Sequence, residues 1–264
     1  MEPYAAEIPE QLAVRIGILR FSTRACVGAT IRIAAQTTLG ELVTAISAAT
    51  AYRLWAPTYD ADPNPLVALE HRVLSERLDL IPGQRMMDLG TGTGRWLEYA
   101  LAHGACATGI DLSAEMLAVA ARKQGVQGRV AQADVCALPF APHSVDVVVC
   151  SFALGYVDRI NLAFREMARI ARRIIISDLH PDAVRAGWVR SFHASGESYE
   201  ITHCDHLLER IETCARRAGL RPSWKLDVSF GEQERAIFER AGKANAFPGA
   251  QQVPAIFISA WVSG

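Results

Sequence analysis

Short apolar runs alternate with segments of helical spacing from residue 83 to the end of the chain. Five of these runs predict strands: Arg85–Leu89, Ala107–Asp111, Arg129–Asp134, Val145–Cys150 and Ile174–Asp178. Two more predicted strands near the end of the chain are Lys225–Phe230 and Ala255–Val262. Strands that alternate with helices favour an α/β fold, here a doubly wound, mostly parallel sheet of seven strands.

The segments between these strands carry apolar residues on one helical face. Ser113 is a suitable N-cap for one helix, in which Met116 and Leu117 lie on the apolar face. Asp205 is predicted to be the N-cap of the helix His206–Ala218. The other predicted helices are Ala68–Leu80, Arg95–Ala102, Asn161–Arg172 and Glu232–Gly242.

Residues 181–205 interrupt the alternation, because they are too polar and too aromatic for a simple connection. We predict a helical turn and then a short hairpin, Ser191–His193 against Tyr199–Thr202, with a Ser-Gly turn between them. Residues 1–48 alternate only weakly and predict one or two further strands. The chain is therefore divided into an N-terminal extension, residues 1–48, and a main domain, residues 49–264, with a cap insert after the fifth strand.

Composition and charge argue against several classes of function. Half of the residues are hydrophobic and the formal net charge is −1, so no basic stripe for nucleic acid is present. No uncharged apolar run reaches about 18 residues, and we predict no membrane span. Six cysteines without a Cys-x-x-Cys pair indicate free thiols in a reducing compartment. We expect a cytoplasmic monomer or homodimer.

Glycines at alternate positions are the main chemical feature of the chain. Gly90, Gly92 and Gly94 follow the first predicted strand and precede a helix, where bare backbone lets a ligand approach closely. Asp111 ends the next strand, and its carboxylate can accept hydrogen bonds from both hydroxyls of a ribose. Together these features predict a site for a nucleoside-bearing cofactor.

A dinucleotide is one candidate for that site. Its fingerprint, Gly-x-Gly-x-x-Gly/Ala, requires a small residue at the third conserved position. Counted from Gly90 that position is Arg95, and counted from Gly92 it is Leu97. Neither residue is small, so the dinucleotide fingerprint is not met and an NAD-dependent oxidoreductase is disfavoured.

Five motifs carry a resemblance to a known family: Trp55–Asp60, Asp88–Gly94, Gly109–Leu117, Ala133–Phe140 and Ser144–Val149. In these motifs the chain resembles class I S-adenosylmethionine-dependent methyltransferases, most closely the small-molecule branch that includes ubiquinone and menaquinone biosynthesis. Two departures stand out. The Pro-Gly-Gly turn that relatives carry before the fifth strand is shortened, and residues 1–48 match no segment of the family.

The resemblance implies S-adenosylmethionine as the cofactor. It implies cofactor contacts from Tyr59, Asp88, Gly90, Thr91, Gly92, Gly94, Asp111, Leu112, Met116, Asp134, Val135, Ser151 and Phe152. In that scheme Asp111 holds the ribose hydroxyls and Asp134 accepts the adenine amino group. Asp88 orients the amino-acid end, while Ser151 and Phe152 face the sulfonium.

The implied reaction is in-line transfer of the methyl group to an O, N or C atom of a small-molecule acceptor. A base is needed only if the acceptor must lose a proton. Asp178 and His180 are predicted to be catalytic, because Asp178 ends the fifth strand and His180 follows it, at the sheet edge where open α/β folds bind ligands. His180, His203 and His206 lack a compact ligand spacing, so no metal site is expected.

Aromatic side chains beyond the fourth strand predict the walls of the acceptor site: Tyr156, Trp188, Phe192 and Tyr199. Arg185 and Arg190 could pair with an acidic acceptor, but solvated surface charge is the preferred interpretation. The alternative to an enzyme is a regulatory or assembly subunit that binds the cofactor without transferring its methyl group. The intact glycine loop and Asp111 argue against lost binding but do not prove turnover.

Overall fold

The computed structural model describes residues 43–264, which form two sheets. The large sheet contains β2 (Arg85–Leu89), β3 (Cys106–Asp111), β4 (Val130–Gln132), β5 (Val145–Ser151), β6 (Ala171–Leu179), β9 (Leu220–Val228) and β10 (Ile256–Ser263). The small sheet contains β1 (Val43–Ile46), β7 (Ser191–Ala194) and β8 (Glu197–Ile201).

The helices are α1 (Ala48–Trp55), α2 (Pro65–Ser75), α3 (Arg95–Ala102), α4 (Ala114–Ala120), α5 (Ile160–Ile170), α6 (Pro181–Arg185), α7 (Leu208–Arg217), α8 (Arg235–Arg240) and α9 (Phe247–Ala250). α2 begins where the Asn64 side chain accepts backbone N–H groups and Pro65 takes the first helical position. The Ser113 hydroxyl accepts the Met116 N–H at 3.2 Å, which confirms the predicted N-cap of α4. Across residues 43–264, no helix has both the length and the apolar composition needed to cross a bilayer.

Strand order places a crevice at the carboxyl ends of β2 and β5. The order is β4-β3-β2-β5-β6-β10-β9, in which the strands from β4 to β6 are parallel and β10 is antiparallel to both neighbours. The chain runs outward from β2 to β4 and then returns to β5 on the other side of β2. Open α/β sheets bind ligands at such a reversal. The observed topology confirms the predicted seven-stranded, mostly parallel sheet.

Alternate side chains of β5 fill a core on each face of the sheet. Val147 and Val149 lie in the core that includes residues of α2 and α3, whereas Val148 and Cys150 lie in the core that includes residues of α5 and α7. Burying one such aliphatic side chain contributes about 1.5–3 kcal/mol relative to exposure. The apolar run therefore has the two-sided burial predicted for it.

Several element boundaries differ from the prediction: α2 spans Pro65–Ser75 rather than Ala68–Leu80, and β9 begins at Leu220 rather than at Lys225. β4 ends early because the Asp134 carboxylate accepts the Cys136 N–H at 2.8 Å and starts a turn. The predicted N-cap at Asp205 was wrong, since α7 begins at Leu208 without a side-chain cap. The Asp205 carboxylate lies 3.2 Å from the imidazole of His203 instead.

A three-stranded cap joins the insert to the chain that precedes α1. Its hairpin, β7 and β8, turns at Ser195 and Gly196 as predicted, both with positive φ. β1 pairs in parallel with β8, from Val43 opposite Ser198 onward. The described end of the predicted extension is thus part of one sheet with the insert. The rest of the predicted extension, residues 1–42, lies outside the described residues.

Candidate active site

The loop between β2 and α3 presents backbone at the carboxyl edge of the sheet. Gly90, Gly92 and Gly94 have φ of +69°, +55° and +88°, a region that favours glycine. A Cβ atom on Gly90 would lie 2.5 Å from the Cβ of Ala153, so alanine there would displace the segment after β5. α3 begins at Arg95 without a side-chain cap, and its first N–H groups are available to an anion.

The Asp111 carboxylate connects the glycine loop to the start of α4. Its Oδ2 accepts the Gly92 N–H at 2.8 Å, and its Oδ1 accepts the Ser113 N–H at 2.8 Å. Burial raises the pKa of Asp111, and the N–H groups of Ser113 and Gly92 oppose that rise. Each carboxylate oxygen keeps a further lone pair, so the group can still accept two ribose hydroxyls.

Asp88 is buried beneath the glycine loop, where the Thr91 hydroxyl donates to its Oδ2 at 2.7 Å. Burial raises the pKa of Asp88 to about 7, although the Thr91 hydrogen bond opposes the rise. The charge of Arg95 also lowers this pKa, whereas Glu70 and Asp111 raise it. Near neutral pH the carboxyl group is therefore divided between its two protonation states.

Asp88→Asn should remove a pH-dependent loss of stability. A carboxyl group whose pKa is higher in the folded state binds more protons when folded, so the free energy of unfolding falls as pH rises. Between the unfolded value of about 4 and the folded value of about 7, this fall amounts to roughly 2–4 kcal/mol. Urea unfolding at pH 5 and pH 8 without cofactor should show a smaller fall for the variant.

Asp146→Asn is the matched control for this experiment. The Asp146 carboxylate pairs with Arg85 at 2.6 Å near the amino end of β5, and that hydrogen bond lowers the pKa of Asp146. Its titration is complete below pH 5, so the control should keep the wild-type pH dependence. Identical pH dependence in wild type and Asp88→Asn would contradict the buried position of Asp88.

Residues 55–60 are held against the glycine loop through Asp60. The Thr93 hydroxyl donates to Asp60 Oδ1 at 2.5 Å, and Lys123 pairs with Asp60 Oδ2 at 2.8 Å. Tyr59 packs on Trp55, with ring centroids 4.7 Å apart. The segment that carries Tyr59 therefore lies beside the loop.

The residues predicted for the adenine end follow β3 and β4. Leu112 is 64% exposed, whereas Met116 is buried under the glycine loop. The Asp134 carboxylate already accepts a backbone N–H of its own turn and lies 3.5 Å from Arg159. Val135 packs against the core that contains α5. The exposed leucine at a strand end is a surface that a flat ring can cover.

Ser151 and Phe152 lie on the other side of the crevice, where β5 ends. Phe152 has φ of +50°, which is rare for a residue other than glycine, and its N–H donates to the Ser177 carbonyl at 2.8 Å. The Ser151 hydroxyl accepts a hydrogen bond from Arg95 at 3.1 Å. Arg95 also pairs with the buried carboxylate of Glu70. A polar network thus fixes this strand end.

Asp178 and His180, the predicted catalytic residues, both make structural contacts. His180 caps α6, since its Nδ1 accepts the Asp182 N–H at 3.0 Å, and its Nε2 lies 3.4 Å from Asp227 on β9. Burial lowers the pKa of His180, and Asp227 opposes that change. Asp178 Oδ2 accepts the Gly155 N–H at 2.7 Å and so holds the segment after β5. Catalytic roles for both residues remain predictions.

A cavity of about 400 Å³ lies beside Asp178 at the carboxyl end of β6. His203 and His206 are in its lining, whereas His180 is not. His206 is 9% exposed and its Nε2 lies 2.9 Å from the Val157 carbonyl. Its Nδ1 is buried and has no hydrogen-bond partner among the described residues. The sequence prediction did not select His206, because only the tertiary structure brings residues 203–206 next to β6.

Three of the four predicted walls of the acceptor site, Tyr156, Phe192 and Tyr199, lie in one apolar cluster with side chains of α1, whereas the fourth lies elsewhere. Trp188 belongs to the core with α2 and α3. Phe192 and Tyr199 stack on each other in the cap, with centroids 5.4 Å apart. Tyr156 follows β5 and contacts the α1 side chain Tyr52. None of the four lines the 400 Å³ cavity, and their contact with an acceptor remains a prediction.

The preferred interpretation of Arg190 as a solvated surface residue was wrong. Arg190 is 5% exposed, and its guanidinium carbon lies 5.0 Å from the ring centroid of Phe152. Arg185, in contrast, is exposed and pairs with Asp182, as expected for surface charge, although it also belongs to the lining of the 400 Å³ cavity. The burial of Arg190 depends on contacts between the cap and the segment after β5, which no local pattern indicates.

Comparison with known proteins agrees with this geometry. The family described as "Methyltransferase domain" matches residues 87–174, from β2 into β6. The malonyl-[acyl-carrier protein] O-methyltransferase of Enterobacter lignolyticus is 34% identical over 187 residues, which are 68% of this chain and 70% of that protein. The demethylmenaquinone methyltransferase of Renibacterium salmoninarum is 26% identical over 175 residues, which are 64% of this chain and 68% of that protein.

A solved structure has the same fold. The S-adenosylmethionine dependent methyltransferase from Mesorhizobium loti superposes with a TM-score of 0.58 at 21% identity, over 74% of this chain and 97% of that chain. The shared fold, the matched domain and the relative at 34% identity agree with the glycine loop and Asp111. The chain belongs to the class I S-adenosylmethionine-dependent methyltransferases and is an enzyme that uses S-adenosylmethionine.

Proposed function

We propose that this methyltransferase acts on a small-molecule acceptor held in the cavity beside Asp178. The observation that carries the proposal is the position of the cavity, whose lining includes Leu154 and Gly155, just after Phe152. Its volume of about 400 Å³ is within the range of sites for small organic ligands. The relatives are named for demethylmenaquinone and for malonyl-[acyl-carrier protein], which differ chemically, so the acceptor must be inferred from this chain's own residues.

S-adenosylmethionine is assigned to the crevice between the glycine loop and Asp111. The bare backbone at Gly90 and the first N–H groups of α3 suit the amino-acid end of the cofactor. Asp111 accepts the ribose hydroxyls with the lone pairs that its backbone contacts leave free. Leu112 covers the adenine ring, and the Asp134 carboxylate accepts a hydrogen bond from the adenine amino group.

When bound, the cofactor would supply a methyl group on a sulfonium: the acceptor atom would bond to that methyl carbon as the carbon–sulfur bond breaks, with S-adenosylhomocysteine as the leaving group. The task of the chain is to align the acceptor, and positioning of this kind can contribute about 7–11 kcal/mol. β6 holds both ends of the segment between crevice and cavity. The Phe152 N–H donates to the Ser177 carbonyl, and the Gly155 N–H donates to Asp178. A fixed segment keeps the distance between methyl group and acceptor constant.

Transfer of tritium from methyl-labelled S-adenosylmethionine to a metabolite extract tests this function. We expect label in the small-molecule fraction with wild type and background label with Asp111→Asn. Calorimetry with S-adenosylhomocysteine and with NAD, run beside it, should show binding of the first alone. Label confined to protein or nucleic acid would contradict the proposal.

For an acceptor that must lose a proton, we propose His206 as the base. The Nε2–H of His206 donates to the Val157 carbonyl, which leaves an unprotonated lone pair on Nδ1. Burial lowers the pKa of His206, with the Val157 contact opposing and Arg210 adding to the change, so the ring is neutral at pH 7. His180 lacks such a lone pair, because its Nδ1 already accepts the Asp182 N–H.

His206→Gln should lower kcat about 100-fold and leave the affinity for S-adenosylhomocysteine unchanged. Glutamine keeps a donor for the Val157 carbonyl but has no basic nitrogen. Wild type should lose activity as pH falls through the lowered pKa of His206, and this acidic limb should vanish in the variant. The measurement is kcat against pH with the acceptor identified by labelling.

His180→Gln is the matched comparison for this prediction. As the cap of a short helix, His180 should contribute about 1 kcal/mol of stability. The variant should keep the acidic limb of the pH profile. If His180→Gln lost the acidic limb of the profile of kcat against pH, and His206→Gln kept it, the proton would be taken by His180 instead of His206.

A further inference from the structure

Arg190 is a buried cation surrounded by aromatic rings. It precedes β7, and its guanidinium carbon lies 5.0 Å from the ring centroid of Phe152 and 5.9 Å from that of Tyr156. Tyr52 packs edge-on against Tyr156, with centroids 5.4 Å apart. The rings give the guanidinium a favourable electrostatic environment, but they supply no opposite charge.

The hydrogen-bonding capacity of Arg190 is largely unused. Its Nη1 donates one long bond, 3.4 Å, to the Phe152 carbonyl, and its Nη2 is buried without a partner. Among residues 43–264, no carboxylate forms an ion pair with this guanidinium. A guanidinium offers five N–H donors, and a buried charge without a counterion costs several kcal/mol.

The neighbouring tyrosines do not serve as counterions. Burial raises the pKa of Tyr52 and that of Tyr156, so both hydroxyls stay protonated near neutral pH. Asp178 is the carboxylate whose charge reaches Arg190, but only through space and without an ion pair. The Asp178 oxygens already accept the N–H groups of Gly155 and Leu179. The positive charge of Arg190 therefore stays uncompensated within the described part of the chain.

We propose that Arg190 binds a carboxylate group of the methyl acceptor, and this rests on the proposed function above. The planar guanidinium matches a carboxylate in a two-bond arrangement. Arg190 does not itself line the 400 Å³ cavity, but the segment that places Phe152 and Tyr156 around it contributes Leu154 and Gly155 to the lining, so an acceptor that extends from the cavity along this segment reaches the guanidinium. The acceptor class is thus a carboxylic acid.

The charge of the cofactor favours the same arrangement. Phe152 is assigned to the sulfonium side of the crevice, so two positive groups, the sulfonium and the Arg190 guanidinium, would both lie near this residue. An anion on the acceptor relieves their repulsion, whereas a neutral acceptor leaves it in place. Because Nη2 is sealed from solvent, an acceptor reaches it only after the aromatic side chains over it move.

Calorimetry on the complex of the full chain with S-adenosylhomocysteine tests the proposal with benzoate, phenylacetate and malonate as probes. At least one probe should bind to wild type, and Arg190→Met should weaken it about tenfold or more, since a buried charged pair loses one partner. Arg190→Lys keeps the positive charge but loses the planar guanidinium with its paired donors. Its affinity for the probe should therefore lie between the affinities of wild type and Arg190→Met. The amides of the same acids should not bind.

Arg53→Met is the matched control, because Arg53 is an exposed arginine on α1. It should bind the probes as wild type does. Arg190→Met should also unfold at the same temperature as wild type or higher, because it removes an uncompensated charge. A purely structural arginine would instead lower the unfolding temperature and leave probe binding unchanged.

Three results would overturn the proposal while leaving the proposed function in place. One is that no carboxylate probe binds to wild type in complex with S-adenosylhomocysteine. Another is equal probe affinity in wild type and Arg190→Met. The third is a loss of S-adenosylhomocysteine affinity in Arg190→Met, which would assign the guanidinium to the cofactor's own carboxylate. A wild type that does not bind S-adenosylhomocysteine at all would refute the proposed function and this inference with it.

Discussion

Asp111→Asn should weaken the binding of S-adenosylhomocysteine about 100-fold. The variant keeps the shape of the side chain but removes its charge and turns one acceptor oxygen into an NH₂ donor, which also faces the backbone N–H of Gly92 or of Ser113. A hydrogen bond to a charged group contributes about 1.5–3 kcal/mol, and the ribose is expected to donate two such bonds to Asp111. Losing one bond and weakening the other accounts for the expected change. Isothermal titration calorimetry with S-adenosylhomocysteine measures it.

Two further variants separate loss of the ribose contact from damage to the loop. Ser113→Ala removes the N-cap bond to Met116 and leaves the Asp111 carboxylate in place. Asp146→Asn makes the same chemical change as Asp111→Asn on a carboxylate that pairs with Arg85 at the opposite edge of the sheet. Both should bind S-adenosylhomocysteine nearly as wild type does. If Asp111→Asn kept its affinity too, Asp111 would not hold the ribose.

Glu70→Leu should lower the free energy of unfolding by about 3 kcal/mol. The Glu70 carboxylate is completely buried and is bonded to Arg95, to the indole N–H of Trp96 and to the Ser177 hydroxyl. Its removal leaves the guanidinium and the indole without their partner. Breaking a buried ion pair usually costs about 3–5 kcal/mol. We expect the lower end of that range, because the Arg95 side chain is 28% exposed. Urea unfolding of the variant and wild type measures the difference.

The double variant Glu70→Leu/Arg95→Met should regain part of that stability, since apolar replacement of both members of a buried pair is often close to neutral. Glu232→Leu provides the surface control. Glu232 pairs with Arg235 at 2.7 Å while both side chains are half exposed or more, and its loss should leave the free energy of unfolding nearly unchanged. A Glu70→Leu variant as stable as the Glu232→Leu variant would contradict the role of Glu70 in holding β6 and α3.

The sheet and the crevice beside the glycine loop were predictable because both depend on local patterns. The continuous run Val145–Cys150 indicates a strand buried on both faces without reference to any partner. Only glycine readily adopts the positive φ that Gly90 and Gly94 show, so the turn was encoded at those positions. The place of Asp111 followed from the end of its strand.

Contacts between distant segments were not predictable in the same way. Arg190 lies 38 residues beyond Phe152, and nothing near it in the sequence distinguishes it from a solvated arginine. The imidazole of His180 likewise lies 3.4 Å from Asp227, which is 47 residues farther along the chain (227 − 180 = 47), and the catalytic role of His180 remains a prediction. The pairing of β1 with β8 also joins segments about 150 residues apart, which no local periodicity indicates.

A crystal structure of the chain with S-adenosylhomocysteine is the most direct test of the cofactor site. We predict both ribose hydroxyls at about 2.5–3.0 Å from the Asp111 carboxylate, and the sulfur facing Phe152. A nucleoside bound elsewhere, or a crevice filled by the chain's own side chains with Asp111 turned out of it, would contradict this assignment.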